Sequence, residues 1–268
     1  MNTKLAAIAL GLATLSTSAL AQTYYTIDVA NDALYTINPT TGVATFKGNF
    51  MYDIDGVDMA WHQGALYAKT FNSVAGTRVW QVLTTGMYAG LGIGGSAING
   101  GGYQGAEIAG LASDGTNLYV TYSNQPPTNN YSTSFGRINP LTGTITFLGS
   151  INTDADAMCY TGNQFWTMDV IAPGSGYQVY RGAAIPNVFV GGDTYDNSLA
   201  TNPVDMEFYS PTQLVTVGQT GKNLVRIWRN TGKRASVVPI TGAPANAVFK
   251  GIAYQPPCVS WDYLHNPN

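Results

Sequence analysis

The chain is predicted to be all-β, a five-bladed β-propeller with four-stranded blades, and three observations lead there. First, a short pattern recurs five times, as Asp58-Met-Ala-Trp61, Gly110-Leu-Ala-Ser113, Ala157-Met-Cys-Tyr160, Asp205-Met-Glu-Phe208 and Gly251-Ile-Ala-Tyr254. Second, aligned on Met59, Leu111, Met158, Met206 and Ile252, the copies lie 52, 47, 48 and 46 residues apart. That is the length of a propeller blade, roughly 40–50 residues. Third, short alternating apolar runs are punctuated by Gly, Pro and Asn, and beyond the first 21 residues nothing holds the helical period.

The chain opens on an expected export signal. Lys4 supplies the positive start, Leu5 to Leu15 the apolar run, and Ala19-Leu-Ala21 a small-x-small cleavage site before Gln22. The run falls short of the roughly 20 apolar residues that cross a bilayer, and no later stretch is long enough either. Residues 1–21 are thus expected to be a signal peptide, 22–257 a single propeller domain and 258–268 a C-terminal tail. The expected location is extracellular or periplasmic.

The first blade takes Tyr24–Val29, Leu34–Pro39 and Val43–Phe50, and its missing innermost strand comes from Phe249–Tyr254. Such a closure joins the two ends of the ring and protects strand edges that would otherwise pair with other chains. The second blade is read as Val57–His62, Ala65–Phe71, Arg78–Leu83 and Tyr88–Gly94, followed by a glycine-rich loop, Gly95–Gly105. The third is Ile108–Ser113, Leu118–Ser123, Phe135–Pro140 and Ile145–Ile151. The fourth is Asp156–Tyr160, Phe165–Ile171, Tyr177–Gly182 and Val188–Gly192; the fifth is Val204–Tyr209, Gln213–Gln219, Leu224–Arg229 and Ser236–Thr241. In-strand aromatics such as Trp166 and Trp228 are expected to pack between blades, since large rings are usually core.

Composition removes several functions. Only 10% of residues are charged, with 12 basic against 15 acidic side chains, so a nucleic-acid partner, which needs Lys and Arg against phosphate, is not expected. His62 and His265 are the only histidines and have no Cys or Asp at zinc or copper spacing. Two cysteines are no disulfide framework; Cys159 reads as a buried free thiol.

The segments Leu34-Tyr-Thr-Ile-Asn-Pro-Thr-Thr-Gly42 and Gly136-Arg-Ile-Asn-Pro-Leu-Thr-Gly143, with the pairs Leu66-Tyr67 and Leu118-Tyr119, carry a family likeness. They resemble the repeats of secreted bacterial propellers of the broad NHL and YVTN type. The resemblance implies architecture and transfers no catalytic residue. It departs from those families in blade number, five here against their usual six or seven.

Acidic residues gather where the inner strands should begin, around one end of the axis. They are Asp53, Asp55 and Asp58, then Glu107, Asp154 and Asp156, and Asp205, seven of the 15 carboxylates. Three chemistries compete for them. Asp55, Asp58, Asp154, Asp156 and Asp205 could hold Ca²⁺, which takes several oxygens in flexible geometry. A pair of them could act on a glycosidic bond. Or each could cap a turn by accepting backbone N–H groups. As a ligand site, Asp58, Glu107, Asp156 and Asp205 would be joined by Trp61 and Tyr103, whose rings can stack on sugars.

The function expected from this pattern is a secreted binding or scaffold module with an acidic axial site for a cation or a carbohydrate-like ligand. The alternatives are an extracellular glycosidase or lyase using the same acids, and a structural surface or matrix protein that self-associates or takes a protein partner.

Overall fold

Each repeat copy forms the innermost strand of its own sheet, as the blade-length spacing requires. The computed structural model describes residues 22–50, 54–72, 76–87, 89–90, 92–97, 99–100, 103–104, 108–122, 134–151, 153–170, 176–193, 203–218 and 220–256. Blade 1 holds β1 (Thr23–Asp28), β2 (Ala33–Ile37) and β3 (Ala44–Asn49). Blade 2 holds β4 (Asp55–His62), β5 (Ala65–Asn72), β6 (Gly76–Val82) and β7 (Gly92–Ala97). Two short strands, β8 (Asn99–Gly100) and β9 (Tyr103–Gln104), follow. Blade 3 is β10 (Ile108–Ser113), β11 (Leu118–Tyr122), β12 (Ser134–Ile138) and β13 (Thr144–Ser150). Blade 4 is β14 (Ala157–Thr161), β15 (Gln164–Val170), β16 (Tyr177–Gly182) and β17 (Val188–Asp193). Blade 5 is β18 (Pro203–Ser210), β19 (Gln213–Gly218), β20 (Asn223–Trp228) and β21 (Arg234–Pro239). The last strand, β22 (Phe249–Gln255), pairs antiparallel with β1 and completes blade 1 in the order β22-β1-β2-β3.

The inner strands meet in a closed circuit: β22 packs beside β4, β4 beside β10, β10 beside β14, β14 beside β18, and β18 beside β22. Five hydrophobic clusters fill the five gaps between blades. Leu34 and Met59 belong to the one between blades 1 and 2, for example, and Val217 and Phe249 to the one between blades 5 and 1. The inner strands of each sheet are therefore buried on both faces while the outer ones are largely exposed, and each fully buried Leu, Ile or Phe contributes about 1.5–3 kcal/mol.

The repeated Asn-Pro turns work as their sequence suggests. Gly42 N donates to Asn38 O and Gly143 N to Asn139 O, each at 2.8 Å. Both glycines sit at positive φ, 74° and 69°, where a side chain would be strained. Asn38 Oδ1 also accepts from Thr40 N at 2.8 Å, holding the turn from inside.

Three expectations are corrected. The fourth strand of blade 2 is Gly92–Ala97, not Tyr88–Gly94. A turn intervenes, in which Gly90 N donates to Leu83 O at 2.7 Å and Gly90 lies against the Asn49 backbone of blade 1. The span read as a loop, 95–105, instead contains the end of β7 and the β8–β9 hairpin, and β8 pairs parallel with β13 to extend that sheet to six strands. Backbone pairing needs no side-chain pattern, so glycines conceal it. Finally, Trp166 is buried as expected, but Trp228 at the end of β20 is 41% exposed.

Candidate functional site

An inner strand of a propeller has a neighbour on one side only, so its other edge turns N–H groups toward the axis. Buried donors without partners cost about 1–3 kcal/mol each, and here carboxyl groups supply the partners. Asp205 Oδ2 accepts from Ile252 N at 2.6 Å and from Met59 N at 3.2 Å, while its Oδ1 accepts from Met206 N at 2.7 Å. Asp58 Oδ1 accepts from Met59 N at 2.8 Å, and its carboxyl also takes the Leu111 N–H. Four of the five aligned apolar positions thus donate to two acids drawn from blades 2 and 5.

The local cause is a bulge. One extra residue interrupts the register of β4 between Asp55 and Asp58, of β10 between Ile108 and Gly110, of β18 between Pro203 and Met206, and of β22 between Lys250 and Ala253. Bulges re-aim the residues beside them. Only β14 pairs in unbroken register, and its Met158 is the one aligned residue outside the set of donors. Gly110 keeps the packing close: a Cβ there would come within 2.6 Å of Thr121 Oγ1 and 2.7 Å of Met158 Cβ.

Asp58 and Asp205 are 1% and 0% exposed and hydrogen-bonded to each other. Two carboxyls can bond only with a proton between them. Among the described residues Asp58 Oδ2 is a buried acceptor with no donor of its own, a place where such a proton can sit. Burial pushes both groups above the ordinary carboxylate range; the charge of Asp58 and its hydrogen bond raise Asp205 further, while the same hydrogen bond draws Asp58 back down. Lys69 lies opposite Asp58 in the register of β5. It stands where β11 buries Thr121 and β15 buries Met168, and its charge pulls Asp58 part of the way back. Cys159, a buried free thiol, also faces this group, and burial holds it well above the usual thiol range.

A pH dependence follows from these shifts. The folded chain keeps protons on the pair, and on Glu207, that the unfolded chain releases near pH 4. Their contribution is therefore fully present at low pH and is lost as pH rises toward 8. Each retained proton makes stability fall by about 1.4 kcal/mol per pH unit inside that window. Denaturant unfolding at pH 5, 6 and 7 is expected to show falling stability, with a shallower slope in Asp58→Asn, which stays neutral. Rising stability over that range in the wild type would contradict the shared proton.

Above the pair, toward the end where the inner strands leave the axis, lies a cavity of about 250 Å³. Its wall takes Trp61 from β4, Ser113 from β10, Tyr160 from β14, Glu207 and Phe208 from β18, and Tyr254 from β22. Glu207 Oε1 accepts from Phe208 N at 2.7 Å and Oε2 from Tyr254 N at 3.2 Å, repeating the edge-capping one layer up. Burial pushes its carboxyl up to about 8, with the charge of Asp205 adding to the effect. A wider depression of about 500 Å³ lies over Arg137 and His62; the axial mouth alone of the two draws on all five inner strands.

No protein-family model matches the sequence, and no curated protein matches it. Among solved structures, the chain is similar to one from a nidogen/laminin complex, at 8% identity and a TM-score of 0.53, over 87% of this chain and 98% of that one. What the likeness shows is the fold. A looser similarity is to a glutaminyl cyclase of Myxococcus xanthus, at 13% identity and a TM-score of 0.49, over 86% of this chain and 84% of that one. Among the described residues no helix is long and apolar enough to cross a membrane.

Of the residues singled out from sequence, Asp58 and Asp205 come together inside the axis. Trp61 lies at the opposite end of β4 from Asp55, stacked on Tyr25 at 5.7 Å and 11°. Asp154 and Asp156 are half-buried just ahead of β14, where Asp156 N donates to Met168 O at 2.8 Å. Asp55 opens β4 and Tyr103 opens β9, but their side chains, like Asp53 and Glu107 altogether, lie outside the described residues. Among the described residues, no three His, Cys, Asp or Glu side chains are grouped to hold a metal ion. Turn capping does occur, at Asp114, whose Oδ1 accepts from Thr116 N and Asn117 N. The axial acids perform the same chemistry on strand edges. Glu207 escaped the sequence reading, although at the third position of the repeat it stands among Ala60, Ala112, Cys159 and Ala253.

Proposed function

We propose that the protein is an exported β-propeller that binds a small polar ligand at the mouth of its axis. One observation carries the reading: five inner strands converge on a cavity walled by aromatic rings around a single carboxyl group. Rings stack on the apolar faces of sugars and attract cationic headgroups, while Glu207, Ser113 and the tyrosine hydroxyls offer polar contacts. Carbohydrates and cations are the two ligand classes such a wall accepts. A glycosidase acting through Asp58 and Asp205 is less well supported, because its carboxyls should stand about 5–10 Å apart with access to substrate. These two share a proton out of reach of solvent.

The test uses protein recovered from the exported fraction, whose mass should begin at Gln22. It is melted in EDTA, then with Ca²⁺, and then with a panel of neutral sugars and small amines. A ligand that binds only the folded state stabilises by about 2.7 kcal/mol at 100 times its Kd. At least one sugar or amine is expected to raise the melting temperature, and Trp61→Ala to abolish the rise. Stabilisation by Ca²⁺ alone, untouched by Trp61→Ala, would move the site to the acids where the inner strands begin. No response to any compound would leave a scaffold without a small ligand.

A further inference from the structure

We infer that the axial mouth recognises an organic ammonium group, primary or quaternary; this rests on the binding reading above and names its ligand. Trp61, Tyr160, Phe208 and Tyr254 stand in one wall with Glu207. Aromatic rings attract an ammonium group within about 6 Å of their centroids. Their neighbours hold them in position. Trp61 lies flat on Tyr25, Tyr254 sits 5.1 Å from Tyr24 and 6.0 Å from Phe208, and Tyr160 is 4.8 Å from Phe165. Rings already fixed lose little freedom when a ligand arrives.

Charge selects among polar ligands. Among the described residues no Lys or Arg lines the cavity, and both oxygens of Glu207 accept only backbone N–H groups. The one charged side chain acting on it is another acid, Asp205. Deeper in the axis, Lys69 offsets the single negative charge left on the proton-sharing pair. Above about pH 8, where Glu207 gives up its proton, the uncompensated charge is therefore that of Glu207. An anion is repelled, and a neutral sugar would bury that carboxylate without a counter-charge. An ammonium group supplies one, at a site of low dielectric where such a pair is strongest. The volume, about 250 Å³, is below the roughly 300–1,000 Å³ of pockets for drug-sized ligands, so a headgroup enters rather than an oligosaccharide.

The experiment titrates the mature protein with choline chloride, methylamine hydrochloride and glucose at pH 9. Sodium chloride matches the ionic strength, and binding is read by calorimetry and by amide NMR shifts. Choline or methylamine is expected to bind and to shift Tyr160 and Phe208, with affinity falling at least tenfold in Glu207→Gln. Because that variant sets an amide donor against a backbone N–H and can lose stability, Tyr160→Leu serves as the second variant. It keeps bulk, removes a ring, and is expected to weaken choline several-fold while melting cooperatively. Glucose binding that survives Glu207→Gln, with no response to either amine, would overturn the ammonium assignment and leave the binding module intact. Failure of all three to shift any residue of the mouth would overturn both.

Discussion

Replacing Asp205 with alanine is expected to destabilise the fold by about 2–6 kcal/mol, measured by urea unfolding at pH 6. Among the described residues, the substitution removes the only acceptors of Met206 N and Ile252 N and one of two for Met59 N. Two buried donors are left without partners, at about 1–3 kcal/mol each. Against a total stability of about 5–15 kcal/mol for a protein domain, that is a large share. Asp205→Asn keeps an acceptor oxygen and is expected to cost less than half as much. A loss below 1 kcal/mol in the alanine variant would mean that the inner edges are satisfied some other way.

Deleting residues 249–268 is expected to abolish the cooperative melt. β22 supplies Phe249, Ile252 and Ala253, each at most 2% exposed, to the clusters on either side of blade 1. It also pairs with β1 and gives Asp205 one of its donors. Without it, β1 becomes an open edge and two of the five gaps lose part of their filling. A chain ending at Pro256, which keeps β22, is the control. Adding a peptide of residues 249–256 should restore protection to β1. A truncated chain that melts like the control would contradict closure of the ring by this strand.

The fold was legible because propeller blades repeat, and the repeat survives in sequence as an apolar residue flanked by small or acidic ones. Met59, Leu111, Met158, Met206 and Ile252 mark five inner strands, and all five are found there. Strands rich in glycine were not legible: the sequences of β7, Gly-Ile-Gly-Gly-Ser-Ala, and β8, Asn-Gly, carry no apolar alternation. The acids were visible as a bias, but their partnership was not. Asp58 and Asp205 are 147 positions apart and meet only because the ring closes and bulges turn both inward. Glu207 and Lys69 left a fainter mark. Each is charged where other blades place an uncharged residue, Ala or Cys for Glu207 and Thr121 or Met168 for Lys69, and column-by-column comparison of the blades would have isolated both. Trp228 was misread because apolar content alone does not tell a blade's inner strands from its outer ones.

The central claim is that carboxyls on the axis satisfy the unpaired edges of the inner strands, and amide hydrogen exchange tests it most directly. Met59, Met206 and Ile252 have no neighbouring strand to protect the N–H groups they turn to the axis; only Asp58 and Asp205 hold them. Exchange at these three amides is expected to be as slow as inside the ladders of β5 and β19, and faster in Asp205→Asn at Met206 and Ile252 first. Rapid exchange at all three in the wild-type protein would contradict the account.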